Sequence, residues 1–400
     1  MLASREEWAR SWALPFVAAL GVAGANLFPF ASSLLLMPLT STFGWTRAQF
    51  SLGLILQIPI GIVAGPFFAR LVDLHGPRRV LLFGIPGAAC GFSLLAFVGP
   101  SIWQWWSLVA LLGLMVAPVL PIAWMAAIVA RFDVSRGLAM AIALAGIGLG
   151  AAIWPVLGAL AIRTLGWRAA IPALGVGWAL VVFPLSLATL PRGSREQAAR
   201  LSPGPNKVPM GGTLRSRTTL SLIAAGSLFI MAIHGVNLNL VPILSGLGYS
   251  LPRSASIAGL AGLFAIVGRI LTGLLLDRLP TRPLAIAMFL LPLITLALLL
   301  CATSTGWIVV AAVALLGFSL GSESDIIAYI ASRRIDPRVF AFTYAIASAV
   351  FSMCSAIGPF LANHLYDAHH SYRPFFLAAV PAILLGAVFI ALVPMKDESH

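Results

Sequence analysis

Twelve stretches of about twenty apolar residues, one after another, leave this chain a single kind of solvent. They run over residues 11–39, 48–70, 79–98, 103–130, 137–162, 168–190, 218–244, 254–276, 283–301, 306–332, 339–362 and 373–394. A run of that length crosses about 30 Å of hydrocarbon as an α-helix. Helices are the reading because a backbone in lipid must satisfy its own polar groups, and the runs are too long and too uniformly apolar for barrel strands. Composition agrees: 60% of residues are hydrophobic and 9% charged, against about 25% charged in soluble domains. The apolar excess covers the whole length, which excludes a soluble domain on one anchor. The opening MLASREEWAR carries acids and lacks a small-residue cleavage site, so it does not read as a removable signal peptide.

The net charge of +13 raises nucleic acid as a partner, and its placement argues against one. With the N-terminus inside, 19 of the 25 Lys and Arg residues fall in cytoplasmic loops or tails, 5 fall outside, and one, Arg269, lies within a span. That bias predicts both termini in the cytoplasm. Attraction to anionic lipid accounts for the positive charge. Cys90, Cys301 and Cys354 sit far apart in apolar runs and read as small buried hydrophobes with no metal-binding pattern.

Residues 191–217, PRGSREQAARLSPGPNKVPMGGTLRSR, form the one long polar segment between the first and last spans. Their Pro, Gly and Ser content marks a linker. The expected organisation is therefore a six-helix bundle over 1–190, a cytoplasmic linker over 191–217 and a second six-helix bundle over 218–400. The halves echo each other. "GWTRA" holds Arg47 and "SLPRSA" holds Arg253, 206 positions later. "ARLVDLHGPRR" holds Asp73 and Arg78, and "GLLLDRLPTRP" holds Asp277 and Arg282, each 204 later. "RFDVSR" and "RRIDPR" place Asp133 and Asp336 203 apart; "LGWRAA" and "HSYRPF" place Arg168 and Arg373 205 apart. Parallel repeats of this kind predict a binding site near mid-membrane between the halves, with alternating access by rocking.

The loop GPFFARLVDLHGPRR resembles the signature loop of the major facilitator superfamily. FGWTRAQFSLGL, RGLAMAIALAGIGLGAAIWPVLGALAIRTLGWRAA, NLVPILSGLGYS and GSESDIIAYIASRRI followed by FAFTYAIASAVFSMCSAIGPFLANHLYD are similar to bacterial monocarboxylate and oxalate:formate transporters. The resemblance implies an all-α membrane protein, twelve transmembrane helices in two pseudo-symmetric six-helix bundles, in the bacterial inner membrane. It also implies that Asp73 latches a cytoplasmic gate in one state, with Arg78, Asp277 and Arg282 as further gating residues. From the residues alone, Asp73 can sit against a helix N-terminus or an arginine such as Arg78.

Three intramembrane charges stand out. Glu323 lies ten residues before Arg333, about 15 Å from the helix end; Asp325 lies about 12 Å deep; Arg269, eight residues before Asp277, lies about 12 Å deep. Shared depth predicts mutual compensation. Two residues of separation turn a helix by about 200°, so the two acids cannot meet one partner from one side. The stripe of Asp325, with Ser322 and Tyr329, is the more polar, while depth favours Glu323, and the expectation leans to Glu323. In the carriers that the chain resembles, an arginine of the eighth helix binds the substrate carboxylate, and VGRILTG puts Arg269 there. Its fork suits a carboxylate; a permanent ion pair between the eighth and tenth helices is the competing role.

Two departures narrow the substrate. Eukaryotic relatives carry an aspartate four residues before that arginine, and here the residue is Ala265. Proton coupling would then fall to Glu323 or Asp325. Oxalate carriers carry a second cation in the eleventh helix, and residues 339–362 hold none, which favours a monoanion. Asn26, His234 and Asn237 are further candidates for substrate contact or for interhelical hydrogen bonds. Trp124 and Trp154 would pack, or face an aryl or alkyl carboxylate. The expectation is a monomeric transporter of a small organic anion with a proton, needing no cofactor or metal and binding no nucleic acid. A proton-driven exporter of cations is the alternative. No phosphate loop, metal cluster or nucleophile–base pattern points to an enzyme.

Overall fold

The computed structural model describes residues 2–191, 216–276, 278–302, 306–334 and 337–393, without the side chains of 2–6, Ser324, Ser332, 337–342 and Ala345. Every regular element among them is helical. In chain order these are α1 (Leu2–Ser11), α2 (Ala13–Ala25), α3 (Leu27–Phe43), α4 (Arg47–His75), α5 (Pro77–Leu94), α6 (Ile102–Val116), α7 (Pro121–Val129), α8 (Arg136–Leu144), α9 (Gly146–Thr189), α10 (Arg217–Asn237), α11 (Leu240–Gly246), α12 (Leu251–Leu276), α13 (Thr281–Cys301), α14 (Gly306–Arg334), α15 (Pro337–His369) and α16 (Arg373–Ala391). Eleven continuous apolar helical stretches are long enough to span a bilayer. One of them, Arg136–Thr189, holds 54 residues. Within it Gly166 adopts φ 74°, ψ 161°, a conformation open only to glycine without strain. The helix turns back there and supplies two crossings, which restores the expected twelve.

The surfaces confirm the solvent. Phe83 is 82% exposed and Leu180 71%, positions that water would penalise and lipid tails accept. Cys90 and Cys301 are also exposed on their helices. They line the apolar exterior instead of the core expected for them.

The chain divides into two compact units: Met1–Trp45 with Leu52–Gly204, and Thr46–Ser51 with Pro205–His400. In the first, α9 packs on α2, α3 and α5. Helix breaks are built the same way in both units. α2 gives way to α3 at Asn26, whose side-chain amide donates to the Val22 carbonyl four residues back (2.9 Å). α10 gives way to α11 at Asn239, whose amide donates to the Gly235 carbonyl (2.9 Å). Each asparagine satisfies a carbonyl freed by its own break.

In the second unit α12 lies along α14, α10 along α15 and α16, and α13 along α14 and α16. The α12–α14 crossing is close because glycines remove the side chains between the backbones. A Cβ on Gly317 would overlap the Ala261 carbonyl, one on Gly321 the Ala265 carbonyl, and one on Gly268 the Phe318 carbonyl. Beside them the Thr272 hydroxyl donates to Ser322 Oγ (2.8 Å), which donates on to the Phe318 carbonyl (2.7 Å). Residues Thr46–Ser51 belong to this unit because Asp367 accepts from the amides of Arg47 (3.0 Å) and Ala48 (2.8 Å). The Arg47 guanidinium stacks 3.5 Å from the Tyr366 ring centre and donates to the Tyr372 hydroxyl (2.8 Å). Burial raises the pKa of that phenol despite the arginine, so it stays a neutral donor, bonded to Asn363 Oδ1 (2.9 Å).

Candidate functional site

The α12–α14 glycine contact sets the register of the charged site. One turn past Ala265 on α12 stands Arg269, and one turn past Gly321 on α14 stands Asp325. Arg269 Nε lies 3.4 Å from Asp325 Oδ1, and each side chain is 31% exposed. The separation is that of an ion pair, but the angle does not make a hydrogen bond, and the buried Nε has no acceptor. Two residues before Asp325, Glu323 points the other way, as the helical turn demands. Its Oε1 lies 3.8 Å from His234 Nε2 of α10, with the Glu323 side chain 8% exposed and His234 27%. Glu323 Oε2 has no donor. Tyr344 of α15, half-buried, lies within the field of Arg269, Asp325 and Glu323.

Asp325 is therefore the acid at Arg269 and the more accessible one; Glu323, which the depth argument preferred, is buried against His234. Four helices of one unit thus contribute a cation, two acids, an imidazole and a phenol to one neighbourhood. Two of its buried polar atoms are unsatisfied. Such orphans are uncommon in native structures and mark places where a ligand or water belongs.

The other expected site residues are placed as follows. Trp124 is fully buried; its indole N–H donates to the Val119 carbonyl (3.0 Å) and its ring fills the space left by Gly21. Trp154 is 7% exposed and donates to the Ala23 carbonyl (2.7 Å). Trp178, absent from the expected residues, does the same against Gly24 and the Leu20 carbonyl (3.0 Å). These three indoles pack α2 within the first unit. Their N–H donors are spent on backbone, so of the two roles expected for Trp124 and Trp154, packing or facing a carboxylate, the described contacts are those of packing. Asn26 serves the α2 break. Asn237 is partly buried and close to the α10 end, with no hydrogen-bond partner among the described residues. Its neighbour Asn239 holds the break.

Of the gating residues, Asp277 lies outside the described residues. Asp73 is exposed and has no partner among the described residues. Arg78 does not meet it. Its guanidinium donates to the Leu187 carbonyl (2.8 Å) and the Leu190 carbonyl, at the C-terminal end of α9, where free carbonyls and the helix dipole favour a cation. Arg282 donates to the Ala391 carbonyl (2.8 Å) at the end of α16. Of the two places expected for Asp73, a helix N-terminus or an arginine such as Arg78, the second is not taken, because the Arg78 fork is occupied by the α9 carbonyls.

Residues 16–341 match the family described as Major Facilitator Superfamily. The chain belongs to that superfamily. An "MFS-type transporter" of Gibberella moniliformis is 26% identical over 294 residues, covering 72% of this chain and 66% of the fungal protein. An uncharacterized MFS-type transporter of Bacillus subtilis, YcxA, is 23% identical over 386 residues, 94% of this chain and 93% of its own length. Among solved structures, a bacterial homolog of the human lysosomal transporter Spinster, inward-facing and unoccupied, superposes with TM-score 0.69 at 16% identity, covering 96% of this chain and 95% of that one. The nucleoside transporter NupG superposes with TM-score 0.77 at 10% identity, covering 96% and 99%. The protein is thus a multi-pass membrane transporter of the facilitator fold, not an enzyme.

Proposed function

We propose that this facilitator carries a small organic monocarboxylate across the bacterial inner membrane by alternating access, together with a proton, with both termini in the cytoplasm. The observation that carries the reading is the loose hold on Arg269: a partly exposed guanidinium whose Nε has no acceptor although a carboxylate stands 3.4 Å away. A structural ion pair would use the fork fully. A guanidinium held for a ligand leaves donors free, and one cation suits one carboxylate.

The charges supply the coupling. In the empty site Arg269 faces Asp325, and Glu323 lies on the other side of α14 against His234. A substrate carboxylate arriving beside Asp325 brings two anions to one cation. Like charges about 4 Å apart repel by about 4 kcal/mol at the effective dielectric of a protein surface. Protonating Asp325 removes that repulsion, frees the guanidinium for the substrate, and lets the loaded site move at lower charge. His234 beside Glu323 offers a second protonatable group. Asp73, Arg78, Asp277 and Arg282 are assigned to gating at the bundle ends, where Arg78 and Arg282 fasten helix C-termini.

The test is uptake of labelled monocarboxylates into proteoliposomes under an imposed pH gradient. Gradient-driven uptake should vanish in Arg269→Gln. Asp325→Asn should retain exchange of the same substrate while losing response to the gradient. Full gradient-driven uptake in both variants would overturn the reading. The alternative, export of cations, draws on Glu323 Oε2, a buried acceptor without a donor. Thermal stabilisation by organic cations, with none by carboxylates, would favour it.

A further inference from the structure

The first unit holds a second polar cavity, distinct from the Arg269 neighbourhood. It measures about 300 Å³ and lies where the end of α1, the start of α5, the residues after α7 and the end of α9 meet; Arg10, Arg78 and Arg131 all line it. Among the described residues no carboxylate lines it. The described acids around it are committed elsewhere. Glu7 accepts from the amides of Asp133 (2.9 Å), Val134 (2.9 Å) and Ser135 (3.0 Å), and Asp133 pairs with Arg136 at 3.1 Å. Arg78 spends its fork on the Leu187 and Leu190 carbonyls. The guanidinium groups of Arg10 and Arg131 have no hydrogen-bond or ion-pair partner among the described residues. Guanidinium groups are always charged, so the cavity concentrates positive charge that its described lining residues do not neutralise.

We propose that this cavity binds the phosphate of an anionic phospholipid headgroup. Forked guanidinium donors suit phosphate oxygens, and basic pockets between transmembrane helices at the cytoplasmic level receive such headgroups. Free phosphate shares that chemistry; the wall decides between the sources. Trp12 lines the cavity and is 62% exposed, and Phe16, one turn further into α2, is 51% exposed. An exposed indole and phenyl leading from the cations into the apolar surface of α2 give acyl chains a place that a soluble anion would leave uncovered. Trp is the side chain that belongs at the lipid–water boundary. The site is independent of substrate transport, and its ligand is part of the surrounding membrane.

Native mass spectrometry of delipidated full-length protein, titrated with phosphatidylglycerol or phosphatidylcholine, tests it. The wild type should bind phosphatidylglycerol about thirtyfold more tightly, as two arginines near anionic lipid imply. Arg10→Gln with Arg131→Gln should abolish the preference. Arg70→Gln with Arg278→Gln, which removes two charges elsewhere, should retain it. Arg78 is left intact because it fastens α9. Gel filtration checks folding; should the double variant aggregate, the single variants read the same preference in part. A preference that survives the first pair, or falls equally in the second, overturns the site. Inorganic phosphate or glycerol 3-phosphate that displaces phosphatidylglycerol at equal concentration overturns the assignment to lipid.

Discussion

Arg78 in the first unit and Arg282 in the second stand 204 positions apart, as do the carbonyls of Leu187 and Ala391 that they cap. Gly113 lies against Gln57 of α4, and Gly317, at the same offset, lies against Ala261 of α12. Gly146 lies against Ala19, and Gly358 against Met231, both pairs shifted by 212. The same crossings are thus built twice. The charges are not. At the 204-residue offset Arg269 corresponds to Gly65, Glu323 to Val119 and Asp325 to Pro121, and at the 212 offset His234 corresponds to Val22. A scaffold that needs no charge in one copy does not need it in the other. On the proposed function, the ionisable cluster of the second unit serves transport instead of folding, and its cost in lipid is borne in one bundle alone.

The largest test of this asymmetry is Arg269→Gln. If the cluster serves transport, uptake should fall by about a hundredfold or more, as loss of two hydrogen bonds to a charged group at about 1.5–3 kcal/mol each implies. Thermal unfolding should move little, because the first unit folds with glycine at the equivalent place. A large fall in stability with unchanged uptake would make the pair structural.

The next test separates two crossings of the same design. A Cβ on Gly317 meets backbone, the Ala261 carbonyl, well inside contact distance, whereas one on Gly113 first meets a side-chain carbon, Gln57 Cγ at 2.7 Å, with the backbone no nearer than 3.4 Å. Gly317→Ala should cost about 1–3 kcal/mol as overpacking against a fixed atom, and Gly113→Ala clearly less. Equal losses of thermal stability would show that the α12–α14 contact can open. Because that contact sets the register of Arg269 and Asp325, Gly317→Ala should also lower uptake, and Gly113→Ala should not.

The particulars explain what could be read in advance. Run lengths and loop charges gave the spans, since a bilayer filters on both, and the matched loops gave the repeat. Arg269, Glu323 and Asp325 were legible because a charge in an apolar run has no bland background. Which acid meets Arg269 was not legible. The rotation of α14 is fixed by Gly317 and Gly321 against α12, and a face shows its meaning only once its partner helix is known. Trp124 and Trp154 stayed open between two roles for a related reason. An indole of the right depth looks alike in sequence whether it faces a cavity or fills the gap over Gly21. Asn26 was read as a substrate contact or an interhelical bond because back-bonding to a residue four positions earlier leaves no composition signal.

Smaller effects compare the two fastenings. Among the described residues, Arg78 reaches two carbonyls at the end of α9 and Arg282 one at the end of α16. At about 0.5–1.5 kcal/mol for each net hydrogen bond, Arg78→Gln should lower thermal stability more than Arg282→Gln. Unfolding in detergent micelles measures both, and the reverse order would break the correspondence between the halves.

The smallest effect lies at the α7–α8 turn of the first unit, where Glu7 holds three amides. Those bonds, first that from Val134 and then that from Ser135, draw the Glu7 carboxyl below its usual range. A lowered value means that the folded form prefers the carboxylate. The resulting hold is complete above the ordinary carboxylate range and fades as pH falls through the lowered value. Hydrogen exchange of the 133–135 amides, corrected for intrinsic rate, should therefore speed up on acidification in the wild type. In Glu7→Gln it should already be fast at neutral pH and respond no further. The carboxylate is open to solvent, so global unfolding should hardly shift. Exchange at 133–135 that ignores both the substitution and the pH would mean that the turn holds itself, and that Glu7 only rests on it.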